Sequence, residues 1–251
     1  MDFTFLIWVV IGFIAQTIDG ALGMAYGVSA TTILLGFGVT PVLASASVHT
    51  AELFTTGVSG IFHLRFGNVD RTAFKRLAIP GMIGAVIGAY ILTSVPGEKI
   101  KPFVAIYLAF MGLVIVVRGF ERLKPEERIK KGSLLGIVGG FFDAIGGGGW
   151  GPIVTSTLVG RGHNPRFAIG TVNLAEFFVT AAQVFVFLLV IQLTQWTIIL
   201  GLIVGGVIAA PFAAWICKWA QTKWLMIAVG ILVFILSAGI LVKGNWIAFF
   251  T

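Results

Sequence analysis

Long apolar blocks separated by short basic stretches run the length of the chain. Ile79 to Val95, Phe103 to Val117, Val179 to Ile191, Ile198 to Ile216 and Leu225 to Val242 each approach the roughly 20 residues a helix needs to cross a bilayer core. The strict polar–apolar alternation of a barrel strand is absent, and in hydrocarbon only helices and closed barrels satisfy their own backbone. The blocks therefore predict helices. Two of them are broken from within, by Asp19-Gly20-Ala21-Leu22-Gly23-Met24-Ala25-Tyr26-Gly27 and by Asp143-Ala144-Ile145-Gly146-Gly147-Gly148-Gly149-Trp150-Gly151-Pro152. Four consecutive glycines make poor helix in any solvent. Broken backbone at membrane depth is tolerated only where protein or a wet cavity satisfies it, and paired breaks in two repeats of a transporter mark its binding site. The expected fold is an all-α polytopic membrane protein of about eight to ten transmembrane segments. The first segment of each half is expected to be a Gly-broken hairpin or re-entrant element.

The two breaks belong to a duplication. Gly12 to Thr56 recurs without a gap 124 residues later, with 15 of 45 positions identical where composition alone gives about four. Asp19 recurs as Asp143 and Glu52 as Glu176; with one inserted residue the match continues through Gly81 and Gly206 to Gly119 and Gly244. The chain divides into a first membrane repeat, 1–120, a basic linker, 121–132, and a second repeat, 133–251.

Basic residues decide how the halves are oriented. If each half has four crossings, the Lys and Arg residues divide 11 inside and 6 outside; if each begins with a hairpin and has five segments, the same 17 divide 14 inside and 3 outside. The second arrangement turns the second repeat upside down, with the N-terminus outside and the linker in the cytoplasm.

Beyond Pro41, Ser45, His49, Glu52, Thr56, Ser59 and His63 fall at spacings of 4, 3, 4, 3 and 4, so all six share one helical face. In the copy, Asn173, Glu176, Thr180 and Gln183 occupy the corresponding face. A carboxylate at that depth must be protonated, paired or wetted, which marks Asp19, His49, Glu52, Asp143 and Glu176 as proton-coupling candidates. Asp19 and Asp143 have a second reading as caps of the half-helices beyond the breaks. His63, beside Arg65, reads as interfacial, and His163 falls in a loop. Exposed amides at Gly23, Gly27, Gly147, Gly148, Gly149 and Gly151 would meet an anion, with hydroxyls of Thr31, Thr155 and Ser156 as further donors. Tyr26 and Trp150, at equivalent positions, would close over it.

Composition removes other classes. A hydrophobic share of 58%, only 11% charge and a mean hydropathy of +1.02 exclude a soluble domain. The net charge of +7 marks cytoplasmic loops and no nucleic-acid surface, since no basic stripe is interleaved with aromatics. Cys217 is the single cysteine, so neither an intramolecular disulfide nor a cysteine metal cage forms. No metal or cofactor is expected, for the duplicate of His49 is Asn173 and no His-Glu-x-x-His motif occurs; this argues against an intramembrane enzyme. The apolar run begins without a basic leader, and Met1-Asp2-Phe3 reads as the start of the mature first helix.

The glycine run Gly146 to Gly149 with Trp150-Gly151-Pro152, followed by Ala168-Ile169-Gly170-Thr171, resembles the TauE/SafE-type sulfite exporters, also called the four-toluene-sulfonate uptake permease family. The first-half echoes are Asp19 to Gly27 and Ala44 to Ser47, and the resemblance covers essentially the whole chain. It implies a carrier of the bacterial cytoplasmic membrane for small sulfur-containing anions, sulfite or organosulfonates, driven by the proton gradient or membrane potential. The resemblance carries the Gly-rich turn and the segment ending in Thr171 over as lining of the anion site, to which Asn173 on the polar face is added. A proton- or cation-coupled carrier of another solute remains the alternative, and a homodimer remains open.

Overall fold

Among the described residues each half contains five helical segments in the same order, the second of them α-helical in one half and part π-helical in the other. The computed structural model describes residues 3–120, 132–161, 163–217 and 222–243, and no strand occurs among them. The first half comprises α1 (Phe3–Leu22), α2 (Tyr26–Gly36), α3 (Pro41–Arg65), α4 (Arg71–Ser94) and α5 (Gly97–Phe120). In the second, α6 (Gly132–Gly146) is followed by a π-helical turn (Gly151–Thr155) that runs into α7 (Ser156–Gly160), then by α8 (Pro165–Val190), α9 (Trp196–Ile216) and α10 (Thr222–Lys243). The starts of α3 and α8 differ by 124 residues, and those of α4 and α9 by 125, as the sequence repeat requires. Of the expected linker 121–132, residues 121–131 lie outside the described residues and Gly132 opens α6.

Local chemistry sets these boundaries. Pro41 and Pro165 occupy the first turn of α3 and α8, where a missing N–H costs nothing. Asp70 caps α4 by accepting the Thr72 and Ala73 amides at 2.8 and 3.1 Å, and Asn164 caps α8 through the Arg166 amide at 3.0 Å.

Among the described residues five helices have the length and apolarity to cross a membrane: α1, α4, the 99–117 stretch of α5, α8 and α9. Shorter apolar helices cover 26–36, 132–146 and 227–242. The 25-residue α3 is not among them because its polar face lowers its hydropathy. The distribution of side chains is inverted relative to a water-soluble protein. Phe103, Phe110, Phe185, Leu189, Phe212 and Ile235 are exposed, while Asp19, His49, Glu52, Asp143, Asn173 and Glu176 are each at most 3% exposed. Lipid accepts the first set and only a protein interior accepts the second.

The halves are interleaved. α1 packs on α9 and α6 on α4, α3 packs on α8 and α5 on α10, so the pattern is unchanged when the halves are exchanged. Glycines let the backbones touch: Gly201 meets Phe5 and Trp8, Gly205 meets Val9 and Phe13, and Gly20 meets Ala213, so α1 and α9 run parallel. Gly136 on Leu77 and Gly88 on Phe141 make α4 and α6 parallel as well. Equivalent helices run opposite ways: Gly57 faces Phe177 while Gly60 faces Leu174, and Gly112 faces Phe234 while Gly230 faces Val116.

Gly84→Ala is expected to cost about 1–3 kcal/mol, because its new methyl group would enter the Ile137 carbonyl. Gly36→Ala meets no atom within 4 Å and is expected to stay within about 0.5 kcal/mol of the parent. Thermal unfolding of both variants in detergent checks the pair.

Candidate functional site

The two breaks meet. Gly23 (φ +67°) ends α1, and Gly147 (φ +68°) and Gly148 (φ +151°) follow α6, conformations that side chains rarely adopt. Thr31 Oγ1 donates to the Gly147 carbonyl, and Thr155 Oγ1 donates to the Gly23 carbonyl at 2.5 Å. Each bond is the image of the other under the 124-residue repeat. Gly27 lies against Gly148, and Gly151 against Gly23 and Met24. The glycines predicted to offer amides to an anion are thus packed backbone to backbone, and the threonine hydroxyls close the junction between repeats. Ser156 donates to the Pro152 carbonyl within its own turn. Thr171 accepts the Asp70 amide at 2.8 Å and pins the α3–α4 connection.

The acids lie around this junction. Asp143 Oδ1 accepts the amides of Gly149 and Trp150 at 2.8 and 2.9 Å, so the capping role read from the sequence is present in the second repeat. Asp143 Oδ2 takes Gln183 Nε2 at 2.6 Å and faces His49 Nε2 at 3.2 Å. In the first repeat the corresponding contact, from the Tyr26 amide to Asp19 Oδ1, is stretched to 3.5 Å. The difference tracks a sequence difference: where the second repeat has Gly149, the first has Ala25 at φ +96°. Ala25→Gly is expected to raise stability by about 1 kcal/mol by removing left-handed strain, read as a higher unfolding temperature in detergent.

His49 connects the acids. Its Nδ1 lies 2.7 Å from the Ser45 carbonyl, which can only accept, so Nδ1 carries a hydrogen. Nε2 then faces two carboxyl oxygens, Asp143 at 3.2 Å and Glu52 at 3.7 Å, and a proton must lie on the His49–Asp143 contact. Ser45 Oγ donates onward to the Ala144 carbonyl at 2.8 Å. At the equivalent position Asn173 repeats only the backbone half of the motif, donating to Ile169 O at 3.2 Å and accepting Ser59 Oγ at 2.8 Å. The two halves share a scaffold, and one of them holds an extra titratable ring.

Several buried polar atoms around the seam have no hydrogen-bond partner: Asp19 Oδ2, Glu52 Oε2, Glu176 Oε2, Gln183 Oε1, Thr180 Oγ1 and both amide atoms of Gln16. Leaving such groups unpaired in a dry interior is costly. Glu176 lies within electrostatic reach of Asp19, Glu52 and Asp143. Among the described residues no group of three or more His, Cys, Asp or Glu has the arrangement to hold a metal ion.

Tyr26 and Trp150 are both fully buried, but in different packing. Trp150 fills a core over Gly81 and Gly139 and donates Nε1 to Val172 O at 3.2 Å, whereas Tyr26 lies in the larger core next to the acids. Gln16 and Tyr107 were missed in the sequence. Tyr107 Oη lies against Gly149, and the signal for Gln16 was a lone amide one helical turn before Asp19 in an apolar run. His63, read as interfacial, is wholly buried, because its helix end is covered by α1 and the connection after α3.

The family model described as Sulfite exporter TauE/SafE matches residues 8–240. A Bacillus subtilis (strain 168) relative named Probable membrane transporter protein YtnM is 41% identical over 253 residues, covering 97% of this chain and 84% of its own. A second from the same organism, Probable membrane transporter protein YunE, is 21% identical over 275 residues, covering 96% of this chain and 98% of its own. No solved structure matches. The match across nearly the whole chain, with the apolar helices and a polar interior, makes this a multi-pass membrane transporter and not an enzyme: the chain belongs to the sulfite exporter TauE/SafE family.

Proposed function

We propose that the protein exports small sulfur-containing anions, sulfite or organosulfonates, across the bacterial cytoplasmic membrane by alternating access, with protons carried on Asp19, His49, Glu52, Asp143 and Glu176. The anion class rests on the family's description. The observation that carries the mechanism is the interlocked pair of helix breaks beside unpartnered acids. Equivalent helices running in opposite directions support inverted repeats, with the N-terminus outside and the basic linker in the cytoplasm. When the repeats separate, Thr31 and Thr155 release the carbonyls opposite. The amides of Gly23, Gly27 and Gly147 to Gly151, with Ser156, Thr171 and Asn173, then line the path.

Charge dictates the coupling. Four ionised carboxylates so close in a low-dielectric interior would repel one another and any anion, so the anion enters when protons occupy the acids. Anion and proton therefore move in the same direction, so export by this route runs down the anion's own outward gradient and is not driven by an inward proton gradient. The alternative, a proton- or cation-coupled carrier of another solute, is favoured by the acids standing without a Lys or Arg partner among the described hydrogen bonds and ion pairs.

Liposomes containing the purified protein should show counterflow of labelled sulfite or sulfoacetate, with an internal pH dye reporting protons moving with the anion. Glu52→Gln combined with Glu176→Gln is expected to remove the proton signal. Proton flux driven by an unrelated solute, with no counterflow of either anion, would establish the alternative; unchanged coupling in the double variant would make the acids structural.

A further inference from the structure

One end of the α1 break is held by a directional chain of hydrogen bonds that the transport reading does not use. Arg166 Nε donates to Asn68 Oδ1 at 2.6 Å, and its Nη2 donates to the Phe66 carbonyl at 2.7 Å. Asn68 Nδ2 donates to His63 Nδ1 at 3.1 Å, and His63 Nε2 donates to the Gly20 carbonyl at 3.1 Å, one residue beyond Asp19. A second Asn68 contact reaches Ala214 O at 3.4 Å. Every donor meets an acceptor, and Asn68 and His63 are wholly buried. The chain runs from α8 through the α3–α4 connection to α1 and touches α9, so it ties the first repeat to the second.

The other end of the molecule has no counterpart among the described residues. By the repeat, Arg166 corresponds to Val42, His63 to Phe187 and Gly20 to Ala144. Phe187 is buried beside the His49 ring, and Val42 packs in the same apolar core with Ile191 and Leu193. The polar end also carries Arg65, Arg71, Lys75, Arg76 and Arg161, and an open cavity of about 480 Å³ lined by Asp70, Arg71, Asn164, Phe167 and Thr171. Polar contacts between moving bodies can exchange partners with water, whereas an apolar seal must lose its packing to open.

We propose that Arg166, Asn68 and His63 form a latch between the repeats that holds the basic end shut, and that its release is a step of the transport cycle. This rests on the alternating-access reading. Arg166 and His63 act here as positioning residues: they fix the end of α1 that carries Asp19, and they need not touch cargo.

The single native cysteine reports on the latch. Cys217 is 8% exposed, at the end of α9 next to the Ala214 contact. Burial pushes its thiol up to about 11, and the Arg166 charge pulls it back down. Maleimides react with the thiolate, so two roles for Arg166 give opposite signs. If Arg166 were only a nearby charge, Arg166→Gln would leave the thiol higher still and slow its labelling. If it is a latch, the same change lets water reach Cys217 and speeds labelling at least about tenfold, the factor that goes with losing one charge-assisted hydrogen bond.

The experiment follows N-ethylmaleimide labelling of the full-length protein in detergent and in liposomes, with the unfolding temperature recorded for each variant. A second pair of variants guards against loss of fold. His63→Gln can keep both bonds, its amide donating to Gly20 and its carbonyl accepting from Asn68, and should label as the wild type does. His63→Phe, the residue used at the other end, should label at least about tenfold faster. Labelling of Arg166→Gln at or below the wild-type rate, or no difference between His63→Gln and His63→Phe, overturns the latch. If the variants open Cys217 as expected while liposomes carry no sulfur anion, the latch stands and the cargo assignment falls.

Discussion

Asp143→Asn is expected to leave the protein folded and to slow transport sharply. The introduced amide can still accept the Gly149 and Trp150 amides through its oxygen, so the turn after α6 stays capped. His49, with Nδ1–H committed to Ser45, can accept the new N–H on Nε2, and Gln183 can rotate its unpartnered Oε1 into the place of its Nε2. Geometry is preserved, but the shared proton and the negative charge are gone. Turning the His49 and Gln183 hydrogen bonds from charge-assisted to neutral loses about 1 kcal/mol each, which puts the fall in transport at about thirtyfold. Counterflow rate and unfolding temperature, measured on one preparation, check both halves of the expectation. Near-normal transport would reduce the His49–Asp143 pair to a structural contact. Asp19→Asn should do less damage, since the Asp19 carboxylate holds one amide at 3.5 Å where Asp143 holds two, at 2.8 and 2.9 Å.

Gly148→Ala carries the largest expected cost to the fold. Its φ of +151° strains any side chain, and a methyl group there would drive into the Val28 amide and the Gly27 backbone of the opposite break. Strain of about 1–3 kcal/mol adds to overpacking of about 1–3 kcal/mol, and neither neighbour can yield because both are main chain. The sum, about 2–6 kcal/mol, reaches the lower end of the roughly 5–15 kcal/mol stability of a folded domain. The expected result is loss of the monodisperse peak in size-exclusion chromatography in mild detergent. Recovery of a well-behaved, transporting protein would mean that the two breaks do not need their close approach.

The helical scaffold and one polar helix face were legible in the sequence. Apolar run lengths predicted helices, and helices are seen; the glycine runs within 19–27 and 143–152 predicted breaks, and α1 ends at Leu22 and α6 at Gly146. The spacing from Ser45 to His63 predicted one polar face on α3, and all six of its residues are buried, Glu52 at 1% included. These are local or self-similar signals: a helix face follows from spacing within a few turns, and a duplicated acid is visible wherever its copy lies.

Which groups meet across the halves was not legible. Nothing in the order of residues says that Asp143 takes His49, 94 positions away, in preference to Glu52, or that Asn68 connects Arg166 to His63. His63 looked like the end of a helix at an interface because Arg65 stands two residues on. Only the covering α1 and the folded-back connection after α3 make it an interior group. The glycines, read as open anion donors, lie against one another because two breaks at matching heights leave no room for a Cβ between them. Residue order sets periodicity, helix ends and the repeat, since each depends on neighbours a few bonds or one duplication away. Which hydroxyl closes on which carbonyl, which carboxyl meets His49 and which end carries the Arg166–Asn68–His63 chain depend on how the segments of the two halves stack, where main-chain contact distances select one partner among several of the same chemistry.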